Sequence, residues 1–359
     1  MSAAAWSPRV WRWLVALAGL AALIVAINVA VTLIMGEAGG VALPVSPAPR
    51  TAPGARATPP AHAFPLQTPE PPVVGTARLR FGVVTQSGTF SADELIRVSD
   101  QVGESPSVVM AYVPFGTPAP LSGLARVRQR GATPLITWEP WVPGGGANQP
   151  AFSLVRIVAG KYDSYLKQWG KDLAAWGMPV MLRFGHEMNG SWYPWGNGVN
   201  GNQAGDYIRA WQHVHDVVRG AGASNVAWVW TPNIEEPGLT ADMGRFYPGT
   251  GYVDVIGLDG YNWGTVPRGS WETPQQLFGA DLDRLRSLAP GKPILIAETA
   301  SAEAGGSKSQ WISTLVSYLA AQRDVTGFVW FDINKERDWR IDSSPQSVAA
   351  FKQALVNRR

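Results

Sequence analysis

From residue 79 onward, short apolar runs alternate with longer amphipathic stretches. The apolar runs cover residues 79–84, 108–113, 134–138, 180–184, 226–230, 253–258, 294–297 and 328–331. Most are rich in β-branched or aromatic residues and all are too short for helices, so each predicts a strand. Between them lie helical patterns over residues 91–102, 162–176, 205–219, 274–288, 308–323 and 347–357. The first of these opens with Ser91-Ala92-Asp93-Glu94, a capping box. A short helix is expected over 122–130 and a weak one near 239–246. Near-continuous apolar strands alternating with helices mean a parallel sheet buried on both faces. Eight such units in about 280 residues match an α/β fold of the (β/α)8 TIM-barrel type in count and in size. The rival, an open doubly wound sheet, usually carries a glycine fingerprint after its first strand, and Thr85-Gln86-Ser87-Gly88 is not one.

A different pattern precedes the barrel. Residues 13–35 are almost wholly apolar, with only Asn28 and Thr32 polar. At about 1.5 Å per residue such a helix would cross a hydrocarbon core of about 30 Å. Arg9 and Arg12 precede it and Glu37 follows it, which keeps the N-terminus cytoplasmic. The run is longer than a usual signal-peptide core and no clear A-x-A cleavage site ends it. The expectation is therefore one N-terminal transmembrane helix, a signal anchor, with a cleaved signal peptide and a secreted domain as the alternative. Residues 36–77 are rich in Pro, Ala, Gly and Thr and cannot bury enough apolar surface to fold. The organisation expected is a cytoplasmic N-terminus (1–12), a transmembrane anchor (13–35), a disordered linker (36–77) and a barrel domain (78–359). The protein would sit in the cell membrane as a single-pass protein with the barrel outside.

Composition narrows the function. Of the 359 residues 46% are hydrophobic and 16% charged, and the net charge is only +3. No Lys/Arg run of nucleic-acid type occurs, so a polyanionic partner is not indicated. There is no cysteine, hence no disulfide and no thiolate metal site. The 17 tryptophans matter for where they fall. In a TIM barrel the active site lies at the C-terminal strand ends. The third run ends in Trp138-Glu139-Pro140-Trp141 and the fourth leads into His186-Glu187. The fifth ends in Trp230-Thr231-Pro232-Asn233, and the sixth leads into Asp259-Gly260-Tyr261-Asn262-Trp263. The seventh leads to Glu298 and the eighth ends in Trp330-Phe331-Asp332. Acids and tryptophans at one mouth suit a sugar, whose hydroxyls meet acids and whose C–H faces meet aromatic rings. Cleaving a glycosidic bond takes a proton donor and a second carboxylate opposite. Glu187, among Trp192, Tyr193 and Trp195, fits the donor, because apolar walls and a neighbouring acid raise a carboxyl pKa. Glu298 fits the ionised partner.

The segment Arg183-Phe184-Gly185-His186-Glu187-Met188-Asn189-Gly190-Ser191-Trp192-Tyr193-Pro194-Trp195, with Ala297-Glu298-Thr299, resembles glycoside hydrolase family 26. That family holds β-mannanases, mixed-linkage β-glucanases and β-1,3-xylanases in a clan of retaining TIM barrels. The resemblance covers about residues 78–357. It implies Glu187 as acid/base, Glu298 as nucleophile, His186 as a positioning neighbour, Trp192 as a sugar contact, Tyr261 as a hydrogen-bond partner of the nucleophile and Trp330 as the floor of the cleaved subsite. Asn189, Trp138, Glu139, Trp195 and Trp263 complete the expected substrate-binding set. Family mannanases often carry histidine where this chain has Glu139, which leaves β-glucan as open as β-mannan.

Plainer readings stand beside these. Glu187 would serve as an ion-pair partner of Arg183, and Trp138, Trp141, Trp195 and Trp263 as rim packing. Trp169, Trp176, Trp211 and Trp311 fall within helices and read as core. His213 and His215 sit two apart on a helix and do not share a face, so no metal site is expected there. The expectation is a cofactor-free, monomeric endo-β-glycosidase whose partner is a β-linked polysaccharide or oligosaccharide, with the membrane as a second partner. A catalytically silent surface carbohydrate-binding barrel is the alternative, and a metal-dependent barrel hydrolase a third.

Overall fold

The computed structural model describes residues 78–265 and 270–358. Eight strands occur: β1 (Arg80–Thr85), β2 (Val108–Pro114), β3 (Thr133–Glu139), β4 (Val180–Phe184), β5 (Val226–Trp230), β6 (Val255–Asn262), β7 (Ile294–Ser301) and β8 (Val325–Asp332). They form a closed barrel in sequence order, every pair parallel. Closure runs from Arg80 opposite Gly327 to Thr85 opposite Asp332. Every residue of β4 and of β7 is buried, as strands walled by side chains inside and helices outside require.

The helices around the barrel are α1 (Ala92–Val102), α2 (Leu121–Gln129), α3 (Leu154–Val158), α4 (Asp163–Trp176), α5 (Ala204–Gly220), α6 (Pro274–Leu288), α7 (Lys308–Ala320) and α8 (Pro345–Asn357). Their ends follow local chemistry. Ser91 caps α1 by accepting from the Glu94 N–H, and Gly103 closes it in the left-handed region at φ 74°. Thr273 and Gln276 form a reciprocal capping box on α6, with Pro274 at the first helical position. Trp169, Trp211 and Trp311 are buried between helices and barrel, whereas Trp176 is half-buried.

Three sequence expectations need correction. Strands β6 and β7 run on into polar residues, because Asp259–Asn262 pair with Glu298–Ser301 beyond a bulge at Leu258/Asp259. The weak helix near 239–246 is only a 3₁₀ turn over Met243–Phe246, followed by another at Thr250–Tyr252, so no α-helix crosses from β5 to β6. The third concerns the membrane. No helix among the described residues is long and apolar enough to cross one. The fold described is therefore the eight-stranded barrel without a transmembrane helix, and it gives the expected single-pass location and membrane partner no support. Residues 13–35, like the linker 36–77, lie outside the described residues.

Candidate active site

The site grows from β4 and the turn after it. Arg183 points into the barrel, where its Nε donates to Thr137 Oγ1 (3.0 Å). Its Nη1 donates to Asp259 Oδ2 (2.6 Å) and its Nη2 to Glu298 Oε1. The guanidinium is fully buried, and two carboxylates keep it charged well above its usual range against the burial cost. The other oxygen of Glu298 accepts from Tyr261 Oη (2.5 Å). Both oxygens of this buried carboxylate therefore face donors. Asp259 and Glu298 stand opposite each other in the β6–β7 ladder, so Arg183 bridges neighbouring strands.

Beyond β4 the chain turns sharply through Gly185 (φ 50°) and Glu187 (φ 52°). A left-handed conformation is costly for glutamate, and such strain gathers at working sites. It is held by Glu187 N–H donating to Thr231 O (2.8 Å) and Gly190 N–H donating to Glu187 O (3.1 Å). The side chain is 8% exposed. Trp192 Nε1 donates to its Oε2 (2.6 Å). Gly190 makes that reach possible, since a Cβ there would lie 2.3 Å from the Trp192 ring. Burial first, then the charge of Glu298, pushes Glu187 up to about 7, while Trp192 and Arg183 act the other way.

His186 is buried, with Nε2 at 3.2 Å from Tyr193 Oη. Burial and the Arg183 charge hold its pKa well below the usual range, so it is neutral. Glu139 is buried at the end of β3, accepts from Trp141 Nε1 (3.1 Å) and is pushed up to about 8, chiefly by burial. Trp192 is exposed, and Tyr261 and Trp263 are half-buried at the same mouth.

Four residues expected to meet sugar have no surface to offer. Trp138 points outward, stacks on Trp169 with ring centroids 4.3 Å apart and donates to Tyr165 Oη. Trp330 also faces the helices, edge-on to Phe351, and donates to Trp339 O. Side chains alternate along a strand, and at both positions the odd partner faces the mouth instead: Glu139 after Trp138, and Phe331, 5.5 Å from Tyr261, after Trp330. Trp195 is buried under Tyr193 and donates to His186 O (2.6 Å). Asn189 is spent on Asn233, donating to its carbonyl and accepting from its N–H.

Sequence reasoning missed Tyr112, named Tyr193 only as part of the aromatic surroundings of Glu187, and left Trp339 less certain than the other tryptophans. Tyr112 lies on β2 with its ring 6.2 Å from that of His186, and Trp339 packs against both Tyr261 and Trp263. Tyr112 was findable by the strand-end rule; Trp339 sits in the loop after β8, where no periodicity marks it. Arg183 was considered only as a partner for Glu187, and its bonds go to Asp259 and Glu298. One group of possible metal donors occurs among the described residues: His186, Asp259 and Glu298, with ligand atoms within 4.8 Å of one another. Arg183 already ion-pairs with both carboxylates, so a fixed positive charge stands where a metal would bind. The donor set does not suit a metal.

Two buried carboxylates in opposed surroundings, at the C-terminal mouth of a parallel barrel and beside aromatic faces, define a glycoside hydrolase class of site. Comparison with known proteins agrees. Residues 155–292 match the model of glycosyl hydrolase family 26. Endoglucanase H of Acetivibrio thermocellus is 40% identical over 236 residues, 64% of this chain and 25% of its own length. A mannan endo-1,4-β-mannosidase of Bacillus subtilis strain 168 is 33% identical over 96 residues, 25% of each chain. The solved endo-β-1,4-mannanase double mutant of Cellulomonas fimi shares the fold with a TM-score of 0.60 and 20% identity, over 79% of this chain and 72% of that one. The chain thus resembles glycosyl hydrolase family 26, most directly over residues 155–292. It spans a quarter or less of the length of the first curated relatives it matches.

Proposed function

We propose that the barrel hydrolyses a β-linked polysaccharide, of the β-1,3-1,4-glucan or β-mannan type, within the chain and with retention. The observation that carries this is the split between the two acids. Glu298 is held on both oxygens by the Arg183 guanidinium and the Tyr261 hydroxyl, while Glu187 is pushed up to about 7, chiefly by burial. One is suited to attack and the other to give a proton near neutral pH. In the first step Glu298 attacks the anomeric carbon as Glu187 protonates the glycosidic oxygen; the C–O bond breaks and the leaving chain departs as an alcohol. In the second, Glu187 takes a proton from water, the water oxygen bonds to the anomeric carbon and Glu298 is released. Arg183 and Tyr261 hold Glu298 in place, and His186 supports the Glu187 turn as a neutral neighbour. Trp192, Tyr261, Trp263 and Glu139 are the groups within reach of substrate. The identity with a protein named an endoglucanase, together with Glu139, supports glucan over mannan.

The test is Glu298→Ala with and without azide on a mixed-linkage glucan. Loss of turnover, restored by azide as an α-glycosyl azide, is expected; full activity in the variant contradicts the assignment. A second reading, a catalytically silent carbohydrate-binding barrel, draws on one specific observation: Glu298 is already engaged on both oxygens, by a guanidinium and a phenol. Binding to a glycan panel with no product from any member would establish it.

A further inference from the structure

Lys308 opens α7, the helix after β7, and is only 1% exposed. That position carries two costs. The first turn of a helix is the positive end of its dipole, and a buried ammonium gives up its water. The side chain offsets them by reaching to the loop between β8 and α8, residues 333–344. Its Nζ donates to Asp338 O (3.1 Å), Arg340 O (2.8 Å) and Ser343 Oγ (2.8 Å), so all three protons are engaged. Ser343 in turn donates to Glu303 Oε1 (2.7 Å). Burial lowers the ammonium to about 8, and Glu303, Asp338 and Asp332 act the other way, so the charge is present at neutral pH.

The two carbonyls that Lys308 holds flank Trp339. The Trp339 carbonyl itself accepts from Trp330 Nε1 (2.9 Å). Three successive carbonyls, outside any helix or named strand, are thus each taken by a side-chain donor. This fixes the backbone from which the Trp339 ring projects. The ring is buried, with its centroid 5.3 Å from that of Tyr261 and 5.1 Å from that of Trp263. Tyr261 Oη donates to Glu298 Oε2. Contact therefore runs from Lys308 through Trp339 and Tyr261 to Glu298, while Lys308 itself bonds to neither acid of the mouth.

Resting on the hydrolase reading above, we propose that Lys308 is a positioning residue for the reaction. It fixes the loop after β8 so that Trp339 backs Tyr261, and Tyr261 holds Glu298 in line with the anomeric carbon. A staple elsewhere in the loop would serve the fold equally well; this one grips the backbone on either side of the loop residue that packs on Tyr261.

The test compares wild type, Lys308→Met, Tyr261→Phe and the double variant in the full chain. Methionine nearly keeps the side-chain length and leaves the Asp338 and Arg340 carbonyls without their donor. Initial rates on a mixed-linkage glucan, taken well below each melting temperature, give kcat and KM. Lys308→Met should lower kcat about tenfold and leave KM within about twofold, because the nucleophile is misplaced and the sugar contacts are not. In the Tyr261→Phe background the same substitution should cost less than about twofold, since the hydroxyl that it positions is gone. Equal losses in both backgrounds, or an unchanged kcat, overturn the proposal. Ser343→Ala removes one acceptor, keeps the ammonium and should lower kcat about threefold. It carries the test if Lys308→Met does not fold, and an unchanged kcat there counts equally against the proposal. Amide hydrogen exchange over residues 333–344 separates the clamp from the catalysis. Protection there should fall about tenfold in Lys308→Met, and unchanged protection overturns the clamp whatever the rates. A wild type that cleaves no glycan refutes the hydrolase reading instead, and the exchange still decides whether Lys308 holds the loop.

Discussion

Glu187 is held in a place that suits its chemistry and costs the fold, and Glu187→Gln exposes that cost. Below pH 4.5 the carboxyl is protonated in folded and unfolded chains alike and contributes no difference. Between 4.5 and about 7 the unfolded chain releases the proton while the folded chain keeps it. A raised carboxyl therefore gives stability that is present at low pH and lost as pH rises through its folded value. At about 1.4 kcal/mol per pH unit, the rise to about 7 corresponds to roughly 3 kcal/mol above neutrality, an upper figure because Glu298 shares in it. Glutamine keeps an oxygen for the Trp192 N–H, loses the charge and fits the same volume. The variant should match wild type at pH 4.5 and melt at a higher temperature at pH 8–9, by roughly 5 °C or more for a domain of this size. Melting curves from pH 4.5 to 9 for both proteins decide it. A variant less stable at pH 9, or one whose advantage does not change with pH, would refute the argument.

Other outcomes follow from the same geometry. Trp192→Phe removes the hydrogen bond that favours the ionised Glu187, so the falling alkaline limb of kcat/KM should move up by about one pH unit. Asn189→Ala leaves the buried Asn233 N–H and carbonyl unpaired and should destabilise the barrel by about 2 kcal/mol in denaturant unfolding. Trp138→Phe should lower the melting temperature while leaving KM unchanged, because its ring meets Trp169 and not the mouth; a raised KM would contradict that. Activity should be unchanged by EDTA, since Arg183 bridges the two carboxylates of the possible metal cluster.

Much of this was legible in the sequence, and the exceptions have physical causes. The apolar runs gave all eight strands because a parallel barrel strand is buried on both faces. The ends of β6 and β7 were cut short because Asp259–Asn262 and Glu298–Ser301 are polar, and their strand character comes from pairing with each other. The region near 239–246 has helical spacing, but the chain satisfies it with a 3₁₀ turn capped by Asp242. Position at a strand end identified the mouth, and direction did not follow from position. Trp138 and Trp330 sit at the right height and face the helices, since successive side chains point to opposite sides. Applying that alternation to the sequence would have separated Glu139 from Trp138. Arg183 could not be assigned so, because its partners lie 76 and 115 residues away and only barrel closure brings them together.

The central claim is that Glu187 and Glu298 act as a donor and a nucleophile on opposite faces of one sugar. Proton NMR of the first product released from a mixed-linkage β-glucan tests it most directly. The β-anomer should appear first, with the α-anomer growing in only by mutarotation; an α-anomer formed first would contradict the account.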